Sequence, residues 1–303
     1  MDDLISIRDL KKEDVELILN TADEMEVALR SGKINTEMKG RILANLFFEP
    51  STRTRFSFET AMLKLGGSVI GFDDPKITSL EKGETLSDTI KTVEKYCDLI
   101  VIRHPKEGAP RLAASVSSKP VINAGDGSNQ HPTQALLDLY AIKKLKGKIR
   151  NLNIALLGDL RHARVIKSLI YCLAMFDANL ILISPMGLEI EKEIVQEVKE
   201  KFNNEIFQTN DIYAGLRTAD VLYVCRLQKE RFSDPYEAKK LENAYKITPD
   251  LLKQAKDDLI ILHSLPRLGE LDRRIDDTKH AKYFDQIQFG VPVRMAIIHQ
   301  MMR

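Results

Sequence analysis

The sequence predicts an α/β protein: two consecutive parallel-sheet α/β domains with helices on both faces. Two observations carry that prediction. Short apolar runs alternate with stretches of helical periodicity along the chain, the pattern of strands buried on both faces beneath covering helices. The alternation breaks once, at Lys146-Gly147-Lys148, and then restarts. That break divides 303 residues into two lengths of ordinary domain size. The expected domains are 1–147 and 148–287, with a C-terminal helix over about 288–303 packing back on the first.

The elements follow in order. Val15, Ile18, Ala22, Met25 and Leu29 recur at helical spacing and mark an N-terminal amphipathic helix. Apolar runs at 42–47, 68–72, 99–103 and 120–124 read as strands, with helices near 53–65, 85–96 and 108–115 between them. Gly66-Gly67 closes the first of these helices. A longer helix runs from about 133 to 145. Strands resume at 153–157, 180–184, 205–208, 221–225 and 259–262. The last helix, 291–302, reads as amphipathic and has no strand after it.

Composition narrows the function. Apolar content of 44% with 29% charged residues fits a globular protein with a full core. A formal charge of +1 excludes a global basic field for nucleic acid, so any phosphate affinity must be local. No stretch approaches the length of a membrane span, and no segment near Met1 resembles a signal peptide. Cys97, Cys172 and Cys225 are dispersed, with neither zinc spacing nor C-x-x-C. They read as buried, reduced thiols of a cytoplasmic protein.

The most informative segment is Pro50-Ser51-Thr52-Arg53-Thr54-Arg55, between a strand and a helix. Unpaired N–H groups and the helix dipole make such a helix start an anion site before side chains are counted. Ser51, Thr52 and Thr54 add neutral donors, and Arg53 and Arg55 add guanidiniums suited to phosphate oxygens. The alternative is an ordinary N-cap with two solvated arginines behind it. Cations in a first turn oppose the dipole unless an anion compensates, which favours the phosphate.

Other unusual residues also fall at predicted strand ends, where open parallel sheets bind ligands. Arg103-His104-Pro105 ends the third strand, and 123–134 follows the fourth. Gly158-Asp159 and Arg164, then Arg226 through Arg231, then 263–267 follow strands of the second half. Singly, Gly125 and Gly127 could be turn residues, His131 a structural hydrogen-bonder and Arg103 a rim ion pair. Together, Arg53, Arg55, Arg103, Arg164 and Arg226 suit two anions, a phosphate compound and a carboxylate compound. No Ser-His-Asp order, metal spacing, Walker loop or G-x-G-x-x-G at a strand end is present. What remains is electrostatic: donors that polarise a carbonyl and hold a phosphate leaving group, as in acyl-type transfer to an external nucleophile.

Over nearly its whole length the chain resembles the aspartate/ornithine carbamoyltransferase family. The motifs are 48–55, Ser79 with Lys82-Gly83-Glu84, Arg103-His104-Pro105, 123–134, Gly158-Asp159-Leu160, 226–231, and His263 with Leu265-Pro266-Arg267. The resemblance implies transfer of a carbamoyl group from carbamoyl phosphate to L-aspartate, in pyrimidine synthesis, with no metal or organic cofactor. Ser51, Thr52, Arg53 and Thr54 would hold the phosphate, and Arg103, His131 and Thr54 would meet the carbonyl oxygen. Gln134 would meet the carbamoyl amide. Ser79 and Lys82 would complete the site of a neighbouring subunit in a homotrimer. Arg164, Arg226 and Gln228, with the loop at Leu265 and Pro266 (a cis bond in the family), would bind aspartate, and Lys82 would reach it too. Glu49 would pair with Arg164 and Arg231 on domain closure. Some family members also pair with a separate zinc-containing regulatory chain.

Two departures stand out. Ser264 occupies a position that is proline in the aspartate branch and cysteine in the ornithine branch, and is expected to loosen its loop. Arg161-His162-Ala163-Arg164 replaces Lys-Tyr-Gly-Arg. The ornithine branch instead places Ser-Met-Gly after the strand that precedes Arg226, whose charge repels the ornithine ammonium and attracts a carboxylate. A non-catalytic paralogue is the rival outside the enzymes, and Arg53, Thr54, Arg103, His131 and Gln134, all retained, argue against it. A nucleotide-binding oxidoreductase would need the missing glycine fingerprint.

Overall fold

The computed structural model describes residues 1–32, 35–228, 236, 239, 241 and 244–303. The chain forms two compact units, Met1–Tyr140 with Gln288–Arg303, and Ala141–Ile287. The first half runs α1 (Lys12–Arg30), β1 (Ile42–Phe47), α2 (Thr52–Lys64), β2 (Ser68–Phe72), α3 (Leu86–Val93), β3 (Leu99–His104), α4 (Ala109–Val116), β4 (Val121–Asp126) and α5 (Pro132–Lys146). The second runs β5 (Asn153–Leu157), α6 (Arg164–Met175), β6 (Asn179–Ile183), α7 (Lys192–Phe202), β7 (Ile206–Thr209), α8 (Ile212–Leu216), β8 (Val221–Val224), α9 (Pro249–Leu252), β9 (Ile260–His263) and α10 (Tyr283–Gln288). The chain ends with α11 (Gly290–Met301).

In the first unit four parallel strands lie in the order β2-β1-β3-β4. Ala44, Leu46, Ile100, Ile102 and Val121 form the core with Ile90 of α3 and Ala113 of α4. Leu4 bridges Ile122 in parallel, which ties the N-terminus to β4. The second unit holds five parallel strands in the order β7-β6-β5-β8-β9. Its core joins Leu157, Ile183, Leu222, Val224 and Ile261 to Leu251, Ile275 and Tyr283. Among the described residues no helix is long and apolar enough to cross a membrane.

The last helix corrects one expectation. Helix α11 packs on α1 and α2, as predicted, with Gln300 Nε2 donating to Thr21 Oγ1 at 2.8 Å. It is not amphipathic. Pro292, Val293, Met295, Ala296, Ile297, Ile298 and Met301 are buried around its circumference, and so is Arg294. A helix apolar on all sides is an enclosed helix. Its polar residues mislead because the one charged residue among the buried set faces inward with them.

Strand order locates the binding crevices. In the first unit β2 lies on one side of β1 and β3 on the other, so connections leave β1 and β3 in opposite directions. In the second unit the same reversal falls between β5 and β8. Such switch points, at the carboxyl ends of the strands, are where open α/β sheets hold ligands.

Candidate active site

In the first unit, β1 leads into α2 beside the end of β3. Phe48 N donates to Arg103 O at 2.9 Å, so the ladder continues past Phe47. Ser51 occupies the N-cap position (φ −160°, ψ 101°), yet its side chain makes no capping hydrogen bond. Thr85 shows the contrast: its hydroxyl accepts from Asp88 N at 3.2 Å at the start of α3. The Ser51 hydroxyl is therefore not spent on its own helix. Thr54 is buried in the first turn. Arg53 forms no ion pair among the described residues, and partial desolvation lowers the pKa of its guanidinium.

Arg55 differs. Its Nε donates to Glu59 Oε1 at 2.8 Å and its Nη1 binds Asp73. The expectation that both arginines serve an anion is corrected: Arg55 is neutralised by carboxylates of its own unit.

Arg103, at the end of β3, donates from Nη2 to Glu49 Oε1 at 2.6 Å and from Nη1 to Ala124 O at 3.4 Å. The 123–134 segment is organised by the buried carboxylate of Asp126. It accepts from Asn123 Nδ2 at 2.9 Å, Gly108 N at 2.8 Å, Asn129 Nδ2 at 3.0 Å and Gln130 N at 3.1 Å. His131 is buried beside this hub, and its carbonyl accepts from Gln134 N and Ala135 N at the start of α5. Pro132 supplies the first helical residue, where a missing N–H costs nothing. Gln134 Nε2 donates to Asp138 Oδ1 at 2.8 Å. Thus Ser51 to Thr54, Arg103, His131 and Gln134 all belong to β1, β3, β4 or the segments that follow those strands.

Ser79 and Lys82 stand apart. Both are exposed, in a 3-10 turn between β2 and α3, and no hydrogen bond or ion pair among the described residues joins them to Ser51–Thr54, Arg103 or His131.

In the second unit the ends of β5, β8 and β9 are neighbours, with Leu157 opposite Val224 and Val224 opposite His263. Gly158 follows β5 at φ +125°, where an added Cβ would come within 2.3 Å of Cys225 O. Only glycine permits that approach. The buried Asp159 binds His162 Nδ1 at 3.0 Å and accepts from Gln228 N at 3.3 Å. Gln228 Nε2 donates to His162 O at 2.8 Å. Asp159, His162 and Gln228 therefore form a closed ring across the β5–β8 crevice. Arg164 opens α6, and Arg226 follows β8. Ala163, where the resemblance has glycine, sits at φ −78°, ψ 91°, open to any L residue, so the exchange costs no backbone strain.

After β9 the chain turns sharply. Leu265 takes φ +58°, and the Leu265–Pro266 bond is cis. Leu265 N donates to His263 Nδ1 at 2.8 Å. His263 Nδ1 is thus an acceptor, so Nε2 carries the proton and donates to Glu270 Oε1 at 2.7 Å. Burial opposes ionisation of Glu270, but the His263 bond and backbone N–H groups outweigh it and hold the carboxyl below its ordinary 4.5. Arg231 lies outside the described residues.

Each unit gathers polar and cationic side chains at the switch point of its own sheet, where a transferase of the α/β class holds its ligands. The residues match the carbamoyl-P binding domain of the aspartate/ornithine carbamoyltransferases over 2–144, and their Asp/Orn binding domain over 150–301. The chain belongs to the aspartate/ornithine carbamoyltransferase family.

Within that family its relatives include aspartate carbamoyltransferases. The catalytic subunit from Thermococcus kodakarensis is 54% identical over 98% of this chain and 95% of its own length. The catalytic subunit of M. jannaschii aspartate transcarbamoylase superposes with a TM-score of 0.93 at 47% identity, covering 99% of this chain and 98% of that one. The Trypanosoma cruzi aspartate transcarbamoylase in complex with N-(phosphonacetyl)-L-aspartic acid gives 0.94 at 35% identity, covering 100% and 96%.

Proposed function

We propose that this chain transfers the carbamoyl group of carbamoyl phosphate to the amine of L-aspartate, giving N-carbamoyl-L-aspartate and phosphate, as a cytoplasmic step of pyrimidine biosynthesis. The observation that carries the reading is the start of α2. Ser51 leaves its hydroxyl unspent and Arg53 has no ion-pair partner among the described residues, while the adjacent Arg55 is neutralised. A helix start so equipped suits a phosphate.

Ser51, Thr52, Arg53 and Thr54 bind the phosphate. The neutral amine of aspartate attacks the carbonyl carbon, and charge grows on its oxygen. Thr54, Arg103 and His131 meet that charge, each donor being worth about 3 kcal/mol of barrier. The carbon–oxygen bond to phosphate then breaks, and phosphate leaves with the amine proton, so no protein base is needed. Arg164, Arg226 and Gln228 bind the carboxylates of aspartate, and the Leu265–Pro266 turn orients it. Their arginines offset the repulsion between two anions held side by side. Glu49 and Arg231 serve domain closure. The chain works as a homotrimer in which Ser79 and Lys82 serve a neighbouring copy, and a separate zinc-containing regulatory chain is the further partner to seek.

The test offers carbamoyl phosphate with aspartate and with ornithine in parallel. N-carbamoyl-aspartate with stoichiometric phosphate is expected. Product from ornithine alone would overturn the assignment.

A further inference from the structure

Helix α11 holds one buried cation, and it lies against the helix that carries Ser51 to Arg55. Arg294 is 2% exposed. Its guanidinium stacks 5.1 Å from the Phe58 ring of α2. Its Nη1 donates to Gly290 O at 3.3 Å within its own helix, and its Nε has no hydrogen-bond partner among the described residues. Burial pulls the guanidinium down to about 10, against the pull of Asp138, so it is still a cation at neutral pH. A buried cation so poorly bonded is costly, and the apolar packing of α11 does not require it. The carboxylate whose charge acts on it is Asp138 of α5, which is fully buried. One turn earlier on α5, Gln134 Nε2 donates to Asp138 Oδ1 at 2.8 Å.

We infer that Asp138 and Arg294 are positioning residues that fix which end of the Gln134 carboxamide faces the donor substrate. An ionised carboxylate only accepts hydrogen bonds, so it must take the amide NH2 of Gln134. The amide oxygen is then the end left for substrate. An acceptor there suits the NH2 of a carbamoyl group and leaves a methyl group unmatched. The buried positive charge of Arg294 favours the carboxylate form of Asp138, the form that can only accept from Gln134. The pair therefore selects carbamoyl phosphate over an acyl phosphate of the same shape.

This inference rests on the proposed reading of Gln134 as a donor-substrate ligand, and the experiment separates the two. The quantity is kcat/KM with carbamoyl phosphate divided by that with acetyl phosphate, aspartate being the acceptor. Gln134→Met should lower the ratio at least tenfold; an unchanged ratio there overturns the reading and the inference together. Asp138→Asn can bond either end of the amide, and Arg294→Met removes the counter-charge, so each should lower the ratio about tenfold. Arg294→Lys should retain it. With Gln134→Met behaving as expected, equal losses for both donors in Asp138→Asn and Arg294→Met would mean a merely structural role and overturn the inference. Thermal unfolding of each variant sets the assay temperature, and Asp138→Asn, close in shape to the native residue, decides the question where Arg294→Met folds poorly.

Discussion

Glu49 Oε1 and Arg103 Nη2 lie 2.6 Å apart, joining the segment after β1 to the end of β3. The bond spans the crevice at the first unit's switch point. With Phe48 N on Arg103 O, it fixes Arg103 relative to the start of α2. Glu49 thus has a task inside its own unit, beyond the closure role that the family resemblance assigns it.

Glu49→Gln should weaken binding of carbamoyl phosphate about tenfold in the absence of aspartate, the loss of roughly one charge-assisted bond. Direct titration measures it. A residue that serves closure alone would leave this affinity unchanged and show its effect only with both substrates present.

Arg53 and Arg55 should separate activity from stability. Arg53→Ala removes a side chain without an ion-pair partner among the described residues. Turnover should fall at least about a hundredfold, with stability within about 0.5 kcal/mol of the native chain. Arg55→Ala breaks the bonds to Glu59 and Asp73 and should cost about 1 kcal/mol in urea unfolding, with a smaller loss of turnover. Reversed outcomes would show that the wrong arginine has been assigned to the phosphate.

Arg226→Ala should raise the KM for aspartate strongly, by about a hundredfold, while carbamoyl phosphate affinity holds nearly constant. Initial-rate kinetics with each substrate varied in turn give both values. A parallel loss of both affinities would contradict a role confined to the carboxylate ligand.

Glu270 links the His263–Leu265 turn to pH. Its carboxyl is held below 4.5 in the folded chain, so the associated stability is present above pH 4.5 and is lost as pH falls through the depressed value. Glu270→Gln keeps the shape and removes the charge. It should cost about 1 kcal/mol at pH 7, and the difference from the native chain should vanish in strong acid. Equal destabilisation at both pH values would show that the charge contributes nothing.

Much of this was legible in the sequence because the signals are local. Strands β1, β2 and β5 are unbroken runs between turn residues, and they fall at the predicted 42–47, 68–72 and 153–157. The Ser51–Arg55 turn needs only its neighbours to be read as a helix start. Helix α6 is hard to delimit from the sequence, because residues from Val165 to Met175 are nearly all buried and leave no polar face to set a period. The carboxylates were harder still. Arg55 with Glu59 has i,i+4 spacing and could have been foreseen. Glu49 with Arg103, and Asp138 with Arg294, depend on how distant segments pack, and Glu270 with His263 depends on the sharp turn at Leu265 that folds the chain back. A lone arginine in the apolar run of α11 was the one visible trace of the second of these.

In the proposed function a phosphate seat on the first unit and a carboxylate seat on the second serve one reaction. N-(phosphonacetyl)-L-aspartate carries both anions in one molecule, and its titration into the native chain, Arg53→Ala and Arg226→Ala tests the claim most directly. Each variant should lose about a hundredfold or more in affinity. Native affinity retained in either one would mean that the two seats do not share a ligand.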